Sequence, residues 1–178
     1  MRPLQKSGVT VGNGAAINIE CGFIPHRVEI YNATDGTPVN VGFPGRYIIP
    51  FSDGGDDAEI VAGEVITGAT SGATARIKEI LLYSGTWEGG DAAGFFVVEA
   101  EDLTGTFGSE AVVGATGGGD ATVTANFVPG YDVDTEVAAD NVITPYFGVA
   151  GSNSKGFTIP VALATEAKAL AYVATRDG

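Results

Sequence analysis

The chain has 178 residues, 44% of them hydrophobic, and a formal net charge of −13 from 9 basic and 22 acidic side chains. That acidity repels nucleic-acid phosphate and anionic lipid head groups, so neither nucleic acid nor a membrane is expected as a partner. The hydrophobic share argues against wholesale disorder, the 27 glycines lack the three-residue period of collagen, and no run reaches the ~18–20 apolar residues of a membrane-spanning helix. The opening MRPLQKSGVT has no apolar centre of a signal peptide, which predicts a soluble chain without a classical export signal. Cys21 is the single cysteine and cannot pair within the chain, so cysteine usage leaves the compartment open.

In chain order, the first clear element is HRVEIYN (26–32), where Val28 and Ile30 alternate with Arg27, Glu29 and Tyr31 as in a half-buried strand. NATDGTP (32–38) follows, and its Asp35-Gly36 pair tolerates the positive backbone angles of a tight hairpin. VNVGF (39–43) and RYIIPF (46–51) read as return strands, with Pro44-Gly45 as punctuation.

GEVITGATSGATARI (63–77) then introduces a pattern that recurs. Setting Glu64 on Glu110 matches Ile66 with Val112, Gly68 with Gly114, Ala69 with Ala115, Thr70 with Thr116, Gly72 with Gly118, Ala75 with Ala121 and Ile77 with Val123, with no gap. β-Branched residues on either side of a Gly-Ala-Thr-x-Gly turn make each copy a hairpin. One hairpin is marginal in water, so two copies and the linking strands EILLY (79–83) and FFVVEAE (95–101) are expected to share a small core. SGTW (84–87) and TGTF (104–107) form a second correspondence, each placing an aromatic residue after a glycine turn.

The last segment, VALATEAKALAYVATRD (161–177), is alanine-rich enough for a helix, yet ALAYVATR alternates with Leu170, Tyr172 and Ala174 on one face. Residue pattern alone leaves helix and strand open. The predicted fold class is all-β: a discontinuous β-sandwich or jelly-roll-like domain from residues 1–51 and 128–178, with an inserted small β-barrel or hairpin-repeat domain at 52–127.

No catalytic, cofactor or metal residue is assigned. His26 is the only histidine, and CGFIPH places a proline between it and Cys21, which makes a zinc site awkward. Gly-x-Ser-x-Gly, P-loop and His-Glu-x-x-His motifs do not occur. Glu88, Asp91, Glu99, Glu101 and Asp102 cluster as a glycosidase pair would, but Trp87 is the single tryptophan for a sugar platform. Asp53, Asp56, Asp57 and Glu59, or DVDTE (132–136), offer oxygen ligands for calcium without the spacing of the regular calcium loop. Solvated turn acids are the default for all of these.

GFIPHRVEIYNATDGT (22–37), GFTIP (156–160) and AKALAYVATR (167–176) resemble the two ends of a group of small virion proteins from tailed bacteriophages, and GEVITGATSGATARI resembles a hairpin module of phage head and tail proteins. The resemblance implies a terminal strand at 167–176. It further implies a non-enzymatic capsid decoration (cement) protein on the virion surface, made in the host cytoplasm, which assembles as a homotrimer and binds the major capsid protein between capsomers. Tyr31, Tyr47, Tyr131, Tyr146 and Phe147 are candidate interface anchors, each equally able to serve as core. Two other readings stay open: a tail-fibre or receptor-binding module reading host glycan through the tips GATSG and GATGGGD, and an enzyme acting on cell-wall sugar through Glu99 and Asp102.

Overall fold

The computed structural model describes residues 4–55, 58–132, 141–152 and 154–177, and among them it contains fourteen strands and no α-helix. The chain divides into two compact units, Met1–Gly45 with Val128–Gly178, and Arg46–Phe127. The fold is therefore all-β, and its second unit is a closed six-stranded barrel.

The first unit is built on two sheets. One has the order β1-β14-β3-β4-β11, from β1 (Leu4–Val11), β14 (Ala169–Arg176), β3 (Arg27–Asn32), β4 (Thr37–Gly42) and β11 (Gly130–Asp132). The other has the order β12-β13-β2, from β12 (Thr144–Tyr146), β13 (Gly156–Ile159) and β2 (Ile17–Glu20). The alternation read in HRVEIYN holds, since Val28 and Ile30 are buried while Arg27 and Tyr31 face solvent. Val28, Ile30, Leu170, Tyr172 and Ala174 from the larger sheet share one core with Phe157 and Ile159 from the smaller, which makes a sandwich. Gly36 takes φ 65° in the β3–β4 hairpin, and Asn32 Oδ1 accepts the amides of Thr34 and Asp35 at 3.1 Å each, which fixes the turn.

The C-terminal ambiguity resolves as a strand. Ala167 sits in the left-handed region at φ 60°, which a helix through 161–177 could not accommodate. Beyond it β14 lies between β1 and β3, and every second side chain enters the core.

The barrel order is β10-β5-β8-β7-β6-β9, closed by the β9–β10 pairing. Its strands are β5 (Arg46–Gly54), β6 (Val65–Gly68), β7 (Thr74–Ser84), β8 (Ala92–Thr104), β9 (Glu110–Gly114) and β10 (Asp120–Val123). The two predicted hairpins are β6–β7 and β9–β10, and EILLY and FFVVEAE fall inside β7 and β8. RYIIPF departs from expectation: it is the first barrel strand and no return strand of the sandwich. A boundary after residue 51 would cut β5, whose Ile49 and Phe51 belong to the barrel core, so the unit begins at Arg46.

Pairing registers show that the duplication extends to three strands per copy. β6 and β9 pair through Ile66↔Gly114, Thr67↔Val113 and Gly68↔Val112, a set that maps onto itself when each residue is exchanged for its counterpart in the other copy. β5 holds against β10 the place that β8 holds against β7, and β5 and β8 pair with each other. The unit is thus two β-β-β copies related by an internal two-fold. SGTW and TGTF each hold a glycine of positive φ, Gly85 at 69° and Gly105 at 79°. They are not equivalent in the duplication, because one follows β7 and the other follows β8.

Candidate functional site

Glu64 and Glu110 are the only buried charged side chains among the described residues. Each sits at the start of its hairpin and reaches into the turn of the other copy. Glu110 Oε2 accepts the amides of Thr70 at 2.7 Å and Ser71 at 2.8 Å, while its Oε1 accepts that of Gly108 at 3.0 Å. Glu64 Oε1 accepts the amides of Thr116 at 3.0 Å and Gly117 at 2.8 Å, while its Oε2 accepts that of Val61 at 2.9 Å.

The backbone repeats the exchange, with Ala69 N–H on Ala111 O at 2.9 Å and Ala115 N–H on Val65 O at 3.0 Å. Small residues are required where the carboxylates pass. A Cβ on Gly68 would lie 2.7 Å from Glu110 Oε2, and one on Gly114 would lie 3.0 Å from Glu64 Oε2. The Gly-Ala-Thr-x-Gly pattern is therefore a seat for the partner copy's glutamate as well as a turn.

Hydrogen bonds to a carboxylate favour its charged form. The Ser71 hydroxyl and amide, with the amides of Gly108 and Thr70, outweigh desolvation and bring Glu110 down to about 2. Glu64 is likewise held below the usual carboxylate range, chiefly by the Val61 amide and then by those of Gly117 and Thr116.

The described acids singled out from the sequence hold other partners or face solvent. Glu99 is paired with Lys78, Asp91 Oδ1 accepts the Thr86 amide at 2.9 Å and so shapes the turn after β7, and Glu88, Glu101 and Asp102 are exposed. Trp87 stacks on Phe51 at 5.4 Å, a core role and no open platform. Asp53 accepts from Ser52 Oγ at 2.8 Å and Glu59 is exposed. Asp56, Asp57 and residues 133–136 lie outside the described residues. Among the described residues no group of three or more His, Cys, Asp or Glu is placed to hold a metal ion.

His26 Nδ1 accepts the Asp177 amide at 3.3 Å and lies 3.6 Å from the Asp177 carboxylate, at the end of the larger sheet. Cys21 is half-buried, and desolvation raises its thiol pKa. Of the aromatic anchors, Tyr47 packs against the barrel core, Tyr146 is partly buried, Tyr31 and Phe147 are exposed, and the Tyr131 side chain lies outside the described residues.

The feature best suited to meeting another chain is the edge strand β1. Among the described residues it pairs only with β14, so the amides and carbonyls of its other edge have no strand partner. Val9 is 68% and Val11 62% exposed, and Leu4 is also exposed. The first nineteen residues carry Arg2 and Lys6 and no acidic side chain, the reverse of the chain's overall charge. No family model, no curated protein and no solved structure matches the chain.

Proposed function

We propose that the chain is a non-enzymatic virion protein of a tailed bacteriophage, a decoration (cement) protein that docks as a homo-oligomer, a trimer, against the major capsid protein. The observation that carries this reading is β1: an eight-residue strand with one edge unpaired among the described residues, exposed valines and no acidic group in a chain of net charge −13. Such an edge recruits a strand from another chain through main-chain hydrogen bonds. It is also the surface on which a second acidic copy, or a capsid subunit, meets the least charge repulsion.

A closed barrel and a sandwich resist unfolding without upkeep, which suits a protein working outside the cell. A repeating capsid surface rewards symmetric oligomers through avidity. The glycan-binding reading draws support from the exposed Thr70, Ser71 and Thr116 at the repeat tips. It ranks second because the amides at those tips are already occupied by Glu64 and Glu110.

The test is to add the purified protein to heads that lack it. Saturable binding at regular lattice positions in a particle map, with DNA release shifted to higher temperature, is the expected result. Binding confined to the tail, or a stable monomer in light scattering that leaves heads undecorated, overturns the assignment.

A further inference from the structure

We propose that each Gly-Ala-Thr-x-Gly turn is a receptor for a carboxylate anion, and that the two receptors, each filled by the glutamate of the other copy, form a clasp that acid releases. Consecutive amides converge on one oxygen in both turns: Thr70 and Ser71 on Glu110 Oε2, Thr116 and Gly117 on Glu64 Oε1. Paired main-chain N–H groups of this kind form a concave anion site that needs no basic side chain.

Recognition is directed at the carboxylate group itself. In each copy the second oxygen is also engaged, by the amide of Gly108 or Val61, so the site matches two oxygens on one carbon. Because the glutamates are exchanged between copies, the bonds join β9 to the β6–β7 turn and the residues leading into β6 to the β9–β10 turn. Protonating either carboxylate removes half of the reciprocal link.

Among the described residues no ion pair involves either carboxylate, so the clasp depends on main-chain amides with the Ser71 and Thr116 hydroxyls beside them. The charged residues of the elements around Glu64 are, on β7, Arg76, whose Nη1 donates to Gly63 O at 2.8 Å, Lys78, which is paired with Glu99, and the exposed Glu79, with the exposed Glu59 preceding Glu64. Around Glu110, β10 contributes the exposed Asp120, which pairs with Val113 at the far end of the hairpin, and the β6–β7 turn contributes the Ser71 hydroxyl.

The sign follows from the direction of the shifts. Glutamates held below 4.5 when folded contribute stability that is complete above that value and is lost as pH falls through the folded values, about 2 for Glu110.

The intact protein is titrated from pH 6 to pH 1 by amide NMR. Thr70 and Ser71 should move together with a midpoint near that of Glu110, and Thr116 and Gly117 together with a midpoint below 4.5. Midpoints at the ordinary glutamate value, or amides that do not move, overturn the clasp. In Glu110→Ala, formate should shift the Thr70 and Ser71 amides saturably while chloride at equal ionic strength does not, and Glu64→Ala should transfer that response to Thr116 and Gly117. Formate shifts that are absent, or no larger than those of chloride, overturn the receptor. Should an alanine variant not fold, Glu110→Gln keeps an acceptor oxygen and cannot ionise. The Thr70 and Ser71 titration must then vanish while that of Thr116 and Gly117 persists.

Discussion

Replacing Phe96 with alanine tests whether the barrel core holds its unit together. The ring is fully buried, stacks on Phe51 at 4.1 Å and 9°, and stands in the register Ile49↔Phe96 and Ile80↔Phe96, so strands bonded on both sides limit collapse into the space left behind. Phe→Ala at such a site costs about 3–5 kcal/mol, and the restraint on collapse places this one near 4. The Arg46–Phe127 unit, at ~0.05–0.15 kcal/mol per residue, has a total stability of about 4–12 kcal/mol, so the variant gives up a third of it or more. Trp87, the only tryptophan, stacks on Phe51 inside the same unit and reports its unfolding by fluorescence. With a urea slope of ~2 kcal/mol per M the midpoint should fall by about 2 M, whereas Val113→Ala on the exposed face of β9 should cost less than ~0.5 kcal/mol. A loss under about 1 kcal/mol for Phe96→Ala, or equal losses for the two variants, would refute the packing argument.

Two glycine substitutions separate backbone strain from steric exclusion. Gly118 has φ 72° and open space at its Cβ position, so Gly118→Ala should cost only ~1–2 kcal/mol of backbone strain in thermal unfolding. At Gly156 a Cβ would lie 1.8 Å from Ile19 O, so Gly156→Ala should lower the melting temperature far more or abolish folding. The excised segment 46–127 should unfold cooperatively with the Trp87 signal intact, because the Ile48↔Phe127 bridge brings its two ends together; a non-cooperative transition would contradict this. Cys21 should react with a thiol reagent at pH 8 more slowly than free cysteine and recover the ordinary rate in urea, since burial raises its pKa.

Much of the fold was legible from local chemistry. Period-two alternation at Val28 and Ile30, the Asp35-Gly36 turn and the two Gly-Ala-Thr-x-Gly hairpins are each set by neighbours in sequence, and each holds in the structure. The core to which RYIIPF belongs is not legible in its residues, because a strand's apolar alternation says that it is buried but not in which core. The third strand of each copy is hidden for a related reason: β5 and β8 share little beyond inward apolar residues, and Ile60 and Phe107 stand 47 positions apart where Glu64 and Glu110 stand 46 apart. The two glutamates were visible as the first matched pair of the repeat, but their partners lie 39–53 residues away. The available signal was an acid at the same place in two hairpins, four residues ahead of the small-residue turn.

The exchanged glutamates make the two copies mutually dependent. Each copy carries the carboxylate that the other's turn holds, so neither turn is filled from within its own copy. Unfastening one half of the barrel therefore strips a buried acid from its seat in the other, and the two halves stand or fall as a pair.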